Sequence, residues 1–268
     1  ILKKIKFPQI GNQGNIFVQL TEQSQGDAYD RTGTVFMIPQ NKEKSFFDAL
    51  SKGVDSVPFY ENGNGTKYKG VMRTENFEPA IELMRFFTPF GIGKFNGLQL
   101  KGKTWMDKVT YRQDISEFQP ELSGKELWIG AYIGNYDKGG HKVSLEITVH
   151  DDGLNVFKNN TVVPLFNTLN IMEMAGQTYS TMFGNEKGLT MTFTLEKDLK
   201  NVRLRYITTG HGGWEAGDEF LPKENRIFFD GEKVYAFTPW RTDCGSYRLY
   251  NPASGNFSNG LSSSDYSR

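Results

Sequence analysis

The chain has 268 residues and carries 31 basic and 31 acidic side chains, so its net charge is zero. That balance argues against a nucleic-acid partner, which calls for a basic face, and no apolar run reaches the roughly 18 residues needed to span a bilayer. Apolar content of 37%, 14% aromatics and 29 glycines suit a turn-rich β protein with room for two packed cores.

In chain order, Ile16, Val18 and Leu20 alternate with polar residues and predict a strand. The polar loop Gln25–Gly33 follows, and Thr34–Ile38 begins a second strand that Pro39 closes. From Glu43 to Glu82 the periodicity blurs. Ser45–Leu50 predicts one short capped helix and Asn62–Thr66 a turn cluster, within an insertion on a β scaffold spanning about 40–82. Leu83–Thr88, Val109–Ile115 and Glu126–Ile133 are further strands, the last two joined by a Pro-containing turn at Gln119–Gly124. Strict alternation of Val143, Leu145, Ile147 and Val149 ends the first half. The charged turn Asp151–Gly153 is the expected boundary, giving domains 1–150 and 151–268.

In the second half, Val162–Phe166, Met191–Leu195 and Val202–Tyr206 are expected strands, and Asp230-Gly231 is a hairpin signal. Short strands at this spacing with little helical periodicity predict β-sandwich or jelly-roll domains. Between Tyr206 and Ile227 lies a Gly-rich loop with His211, Trp214, Glu215, Asp218 and Glu219, a strand–loop–strand arrangement that presents polar groups from a rigid edge.

Three histidines, His141, His150 and His211, stand at no metal-ligand spacing, so neither a metal nor another cofactor is expected. There is no Gly-x-Ser-x-Gly elbow and no phosphate-binding loop. Cys244 is the single cysteine, unremarkable as a reduced thiol and a sign of a partner elsewhere in an exported chain. Carboxylate chemistry remains. Asp30, between Tyr29 and Arg31 before a strand, and Glu219 in the other half would line one cleft if their loops face each other.

Five fragments then occur in order: Asp27-Ala-Tyr-Asp-Arg31, Phe86-Phe-Thr-Pro-Phe-Gly-Ile-Gly93, Asp114–Phe118 leading to Leu122-Ser-Gly124, Gly210-His211 with Ala216-Gly217 and Glu219, and the Cys244 region through Arg268. Together they resemble the bacterial peptide-N-glycosidase F family, amidases that cleave between asparagine and the innermost N-acetylglucosamine of N-glycans. The resemblance implies an all-β protein of two adjacent antiparallel eight-stranded jelly rolls, the second interrupted or truncated in this chain. It implies Asp30 and Glu219 as catalytic residues, with Tyr29, Arg31, Tyr132, His211, Trp214 and Arg268 binding substrate. It also implies that Cys244 has a disulfide partner beyond Arg268, and that the enzyme is a secreted or periplasmic bacterial monomer acting on glycosylated peptides or proteins. Departures are visible: Tyr132 stands at a family glutamate, Tyr29 at a tryptophan, and the cysteines flanking the acidic motifs are missing. A glycan-binding β-sandwich without catalysis is the rival reading. A copper monooxygenase-like pair of jelly rolls is disfavoured by the scattered histidines.

Overall fold

Strand β2 (Gly14–Ser24) sets the frame: every second residue from Gly14 to Glu22 is buried, with the intervening ones half-exposed. This is the period of a strand with one face on a core. β2 is the centre of a three-stranded antiparallel sheet between β11 (His141–Asp151) and β9 (Lys108–Asp114). Facing it is a four-stranded antiparallel sheet in the order β1 (Leu2–Lys6), β10 (Glu126–Ile133), β3 (Thr32–Ile38), β8 (Ile81–Phe87). Ile16, Val18 and Leu20 from the first sheet pack with Val35, Met37, Leu83, Phe86, Leu127 and Ile129 from the second, and Ile115, Phe118 and Leu122 close one end. The computed structural model describes residues 1–11, 14–92, 102–151, 161–169, 176–183, 187–195, 198–210, 221–243, 246 and 249–250.

The four-stranded sheet is covered on its other face too. In β3 six consecutive residues, from Gly33 to Ile38, are buried, the mark of a strand packed on both sides rather than one. The outer layer is the insertion: β4 (Lys44–Ser45) pairs with β7 (Phe77–Glu78), and β5 (Phe59–Tyr60) pairs with β6 (Tyr68–Lys69). Between them lies helix α1 (Phe46–Lys52), held by a capping box in which Ser45 and Asp48 exchange side-chain and backbone hydrogen bonds, followed by a 3-10 turn at Val54–Ser56. Phe36 and Ile38 of β3 meet Phe46, Tyr68, Val71, Phe77, Leu169, Tyr179 and Met182 in this second core.

Two segments after β11 therefore belong to this layer. Residues 161–169 contribute a bridge, Met72 to Phe166, and backbone bonds to Val71 and Arg73, and α3 (Ser180–Phe183) brings Met182. The expected strand at Val162–Phe166 is an extended segment with that bridge, because it crosses the insertion instead of entering a ladder. Met191–Leu195 and Val202–Tyr206 form no ladder among the described residues. The Pro-containing turn is a 3-10 turn at Ser116–Phe118 running into a one-turn helix, α2 (Gln119–Leu122), with Pro120 in its first turn, where its missing N–H costs nothing.

The chain divides into two compact units, residues 1–89 with 107–194 and residues 90–106 with 195–268. In the second, β12 (Asn225–Phe229) and β13 (Glu232–Phe237) form the expected hairpin. Asp230 and Gly231 both take positive φ, 50° and 83°, the requirement of a tight turn that follows strand twist.

Candidate functional site

The apolar stripe of β2 ends in a carboxylate. Glu22 follows Ile16, Val18 and Leu20 on the inward face and is fully buried. The neighbouring strand ends the same way, since His141 continues the alternation of Val143, Leu145 and Ile147. In the β2–β11 register His141 lies opposite Ser24 and Val143 opposite Glu22, which makes Glu22 and His141 diagonal neighbours on one face. Their side chains meet: His141 Nδ1 is 2.7 Å from Glu22 Oε1. The other ring nitrogen, Nε2, lies 3.7 Å from Oδ2 of Asp27, which is also fully buried.

Asp27 stands in the turn between β2 and β3, next to the sequence-predicted site residues. Its Oδ2 accepts from Arg31 Nε at 2.8 Å and its Oδ1 from the Tyr29 N–H at 3.2 Å. Burial works to raise the Asp27 carboxyl. The Arg31 guanidinium, the Tyr29 N–H and the charges of Arg31 and His141 outweigh it and hold the group below its ordinary range. Thr88, just beyond β8, pins the same turn from the opposite side. Its hydroxyl accepts from the Arg31 N–H and donates to the Tyr29 carbonyl, each at 2.7 Å, and its own N–H donates to the Arg31 carbonyl at 3.0 Å.

The half-buried Asp30 is thus the residue between two anchored neighbours. Arg31 meets two rings: its guanidinium carbon is 5.0 Å from the ring centre of Tyr29 and 5.0 Å from that of Tyr136, and Nη2 is 4.0 Å from Asp137. Tyr136 is 73% exposed and Tyr29 38%, so two solvent-facing rings lie over a largely buried guanidinium in the turn that carries Asp30. The loop carrying Tyr136 sits close against the β2–β3 turn. Gln25 N–H donates to the Gly140 carbonyl at 3.0 Å, and a Cβ at Gly139 would collide with the Gln25 backbone.

The structure brings Tyr29, Asp30 and Arg31 together in this turn. It places Tyr132 on β10 opposite Thr34, with its side chain against the second core. His211, Trp214, Glu219 and Arg268, along with Cys244, lie outside the described residues. The salt bridge of the turn runs from Arg31 back to Asp27 inside the fold. Sequence reasoning passed over Glu22, His141, Tyr136 and Asp137. For the first two a signal existed: each is a polar residue at the position where an alternating apolar stripe calls for another apolar one. Among the described residues no group of three or more His, Cys, Asp and Glu side chains is arranged to hold a metal ion, and no helix is long and apolar enough to cross a membrane.

Two antiparallel sheets packed face to face, with polar loops gathered at a strand end, define an all-β protein of the jelly-roll sandwich class. Family profiles narrow this further: one described as peptide-N-glycosidase F, N terminal, matches residues 1–149, and one described as peptide-N-glycosidase F, C terminal, matches residues 178–268. The chain belongs to the peptide-N-glycosidase F family. Solved structures of PNGF-II in the P21 and C2 space groups are 63% identical to it, with a TM-score of 0.91, and the match covers 98% of this chain and 49% of that one. The chain therefore spans about half the length of those relatives. PNGase F, a glycosylasparaginase from Flavobacterium meningosepticum, is 16% identical over 56% of this chain and 35% of its own, with a TM-score of 0.29. A search of the curated proteins gave no match.

Proposed function

We propose that the protein hydrolyses the amide bond between an asparagine side chain and the innermost N-acetylglucosamine of an N-glycan. The observation that carries this reading is the Tyr29-Asp30-Arg31 turn, in which Asp30 stands between two anchored neighbours and the Arg31 guanidinium packs over two exposed aromatic rings, in a member of this family. A carboxylate so held is suited to take a proton from water as its oxygen adds to the amide carbon. Arg31 would stabilise the negative charge that develops on the carbonyl oxygen. Collapse of the tetrahedral intermediate breaks the C–N bond, and the leaving nitrogen takes a proton. The products are an aspartyl peptide and a glycosylamine, which then loses ammonia to water. Faces of Tyr29 and Tyr136 suit the apolar face of a pyranose ring. By the family resemblance Glu219 is assigned a catalytic role beside Asp30, and His211, Trp214 and Arg268 a role in binding substrate. No cofactor enters the reaction, and the setting that suits it is a secreted or periplasmic bacterial monomer acting on glycoproteins.

The test is Asp30→Asn. The variant should fold normally and release no glycan from a denatured glycoprotein, read as loss of the glycan mass with conversion of Asn to Asp in the peptide. General acid–base catalysis is worth about 10²–10⁴ in rate, so retention of more than about a tenth of the wild-type rate overturns the assignment. A non-catalytic glycan-binding module is the second reading, favoured by Tyr132 at a family glutamate; it binds the glycoprotein and leaves its mass unchanged.

A further inference from the structure

Four ionisable side chains run in a line behind the Asp30 turn: Glu22, His141, Asp27, Arg31. Glu22 and Asp27 are fully buried, the His141 side chain is 2% exposed, and that of Arg31 is 17% exposed. Successive separations are 2.7, 3.7 and 2.8 Å. Burying two carboxylates from water is costly unless positive charge compensates them. Each ring nitrogen of His141 points at one of the two acids, and the Arg31 guanidinium meets Asp27 as well. Glu22 Oε2 and His141 Nε2 have no hydrogen bond among the described residues, so His141 bears on Asp27 through a close buried contact rather than a hydrogen bond.

An apolar core would be served as well by a valine and a leucine at these two strand positions. What the polar pair adds is a fixed place for Asp27, and through Asp27 for the Tyr29 N–H and the Arg31 guanidinium on either side of Asp30. We infer that His141, backed by Glu22, is a positioning residue for the proposed amidase reaction: it fixes Asp27 and thereby the Tyr29-Asp30-Arg31 turn, without touching substrate. This role rests on the amidase reading for its kinetic consequence, but its structural content stands apart from it.

Two readouts on the whole chain test it. In the first, wild type, His141→Gln, Asp27→Asn and the double variant are assayed on a glycopeptide. His141→Gln should lower kcat by roughly ten- to a hundredfold with KM within about twofold, the signature of misplaced reacting groups rather than lost binding. Because both residues act through one path, the double variant should be no slower than the slower single variant. In the second, amide hydrogen exchange across residues 27–33 should run about tenfold faster in His141→Gln, while exchange in β2 and β3 stays near wild type. A kcat within twofold of wild type, or additive losses in the double variant, overturns the inference. If His141→Gln does not fold, isosteric Asp27→Asn carries the same kcat and exchange predictions. If the wild-type chain releases no glycan, the amidase reading fails by itself; exchange in 27–33 then decides, acceleration supporting the anchoring role and wild-type exchange overturning it.

Discussion

Asp27 and Glu78 are both buried carboxylates, yet their surroundings drive them in opposite directions. At Asp27 the burial penalty is outweighed by Arg31, the Tyr29 N–H and His141, so the folded state lowers its affinity for protons below the ordinary 3.8. A carboxyl depressed in this way gives stability that is complete above its unfolded value and is lost as pH falls through the folded one. Chemical denaturation of wild type and Asp27→Asn between about pH 6 and 2 should therefore show a stability gap that closes as acid is added. At Glu78 burial dominates and raises the group above its ordinary 4.5, since Arg73 Nε is 3.9 Å away and Oε2 has no hydrogen bond among the described residues. Here the sign reverses: the fold favours the protonated acid, and stability is lost as pH rises through the folded value. Glu78→Gln should thus stabilise the protein at neutral pH by about 1 kcal/mol, the scale of relieving a poorly satisfied buried group, and the gain should vanish below about pH 4 in thermal melts.

Strand β3 joins the site to both cores. Its residues alternate between the inter-sheet core, through Val35 and Met37, and the outer layer, through Phe36 and Ile38. Phe36 is 2% exposed and packs edge-on to Phe46 of α1, with ring centres 5.7 Å apart. Phe36→Ala should cost about 3–5 kcal/mol in denaturant melts, the range for emptying a large buried aromatic site. Because that loss lies on the face turned from β2, Asp27 and His141 should keep their arrangement, and whatever protein remains folded should keep the wild-type kcat of the proposed amidase reaction. The elements most legible in the sequence were those with a local cause. Alternation marked β2 and β11, the capping box marked α1, and Asp230-Gly231 marked the hairpin. Val162–Phe166 is less legible, because a short apolar run reports burial without saying whether a ladder partner waits for it.

At the scale of the whole molecule, equal numbers of acids and bases leave no long-range repulsion between copies near neutral pH. Light scattering should show self-association strongest near pH 7 and weaker on either side, where net charge returns. The candidate site was legible to the extent that it is contiguous: Tyr29, Asp30 and Arg31 are neighbours in the chain. Its support was harder to see because Glu22, His141, Thr88 and Tyr136 converge from separate elements, and their meeting depends on strand register. The double covering of β3 has a further consequence. A strand sealed above and below offers no side to rework, so the foot of the Asp30 turn is fixed while its rim, formed by Tyr29 and Tyr136, is open. Attempts to retune the proposed amidase activity toward differently decorated sugars should therefore yield surviving variants at the two tyrosines and almost none from Val35 to Ile38.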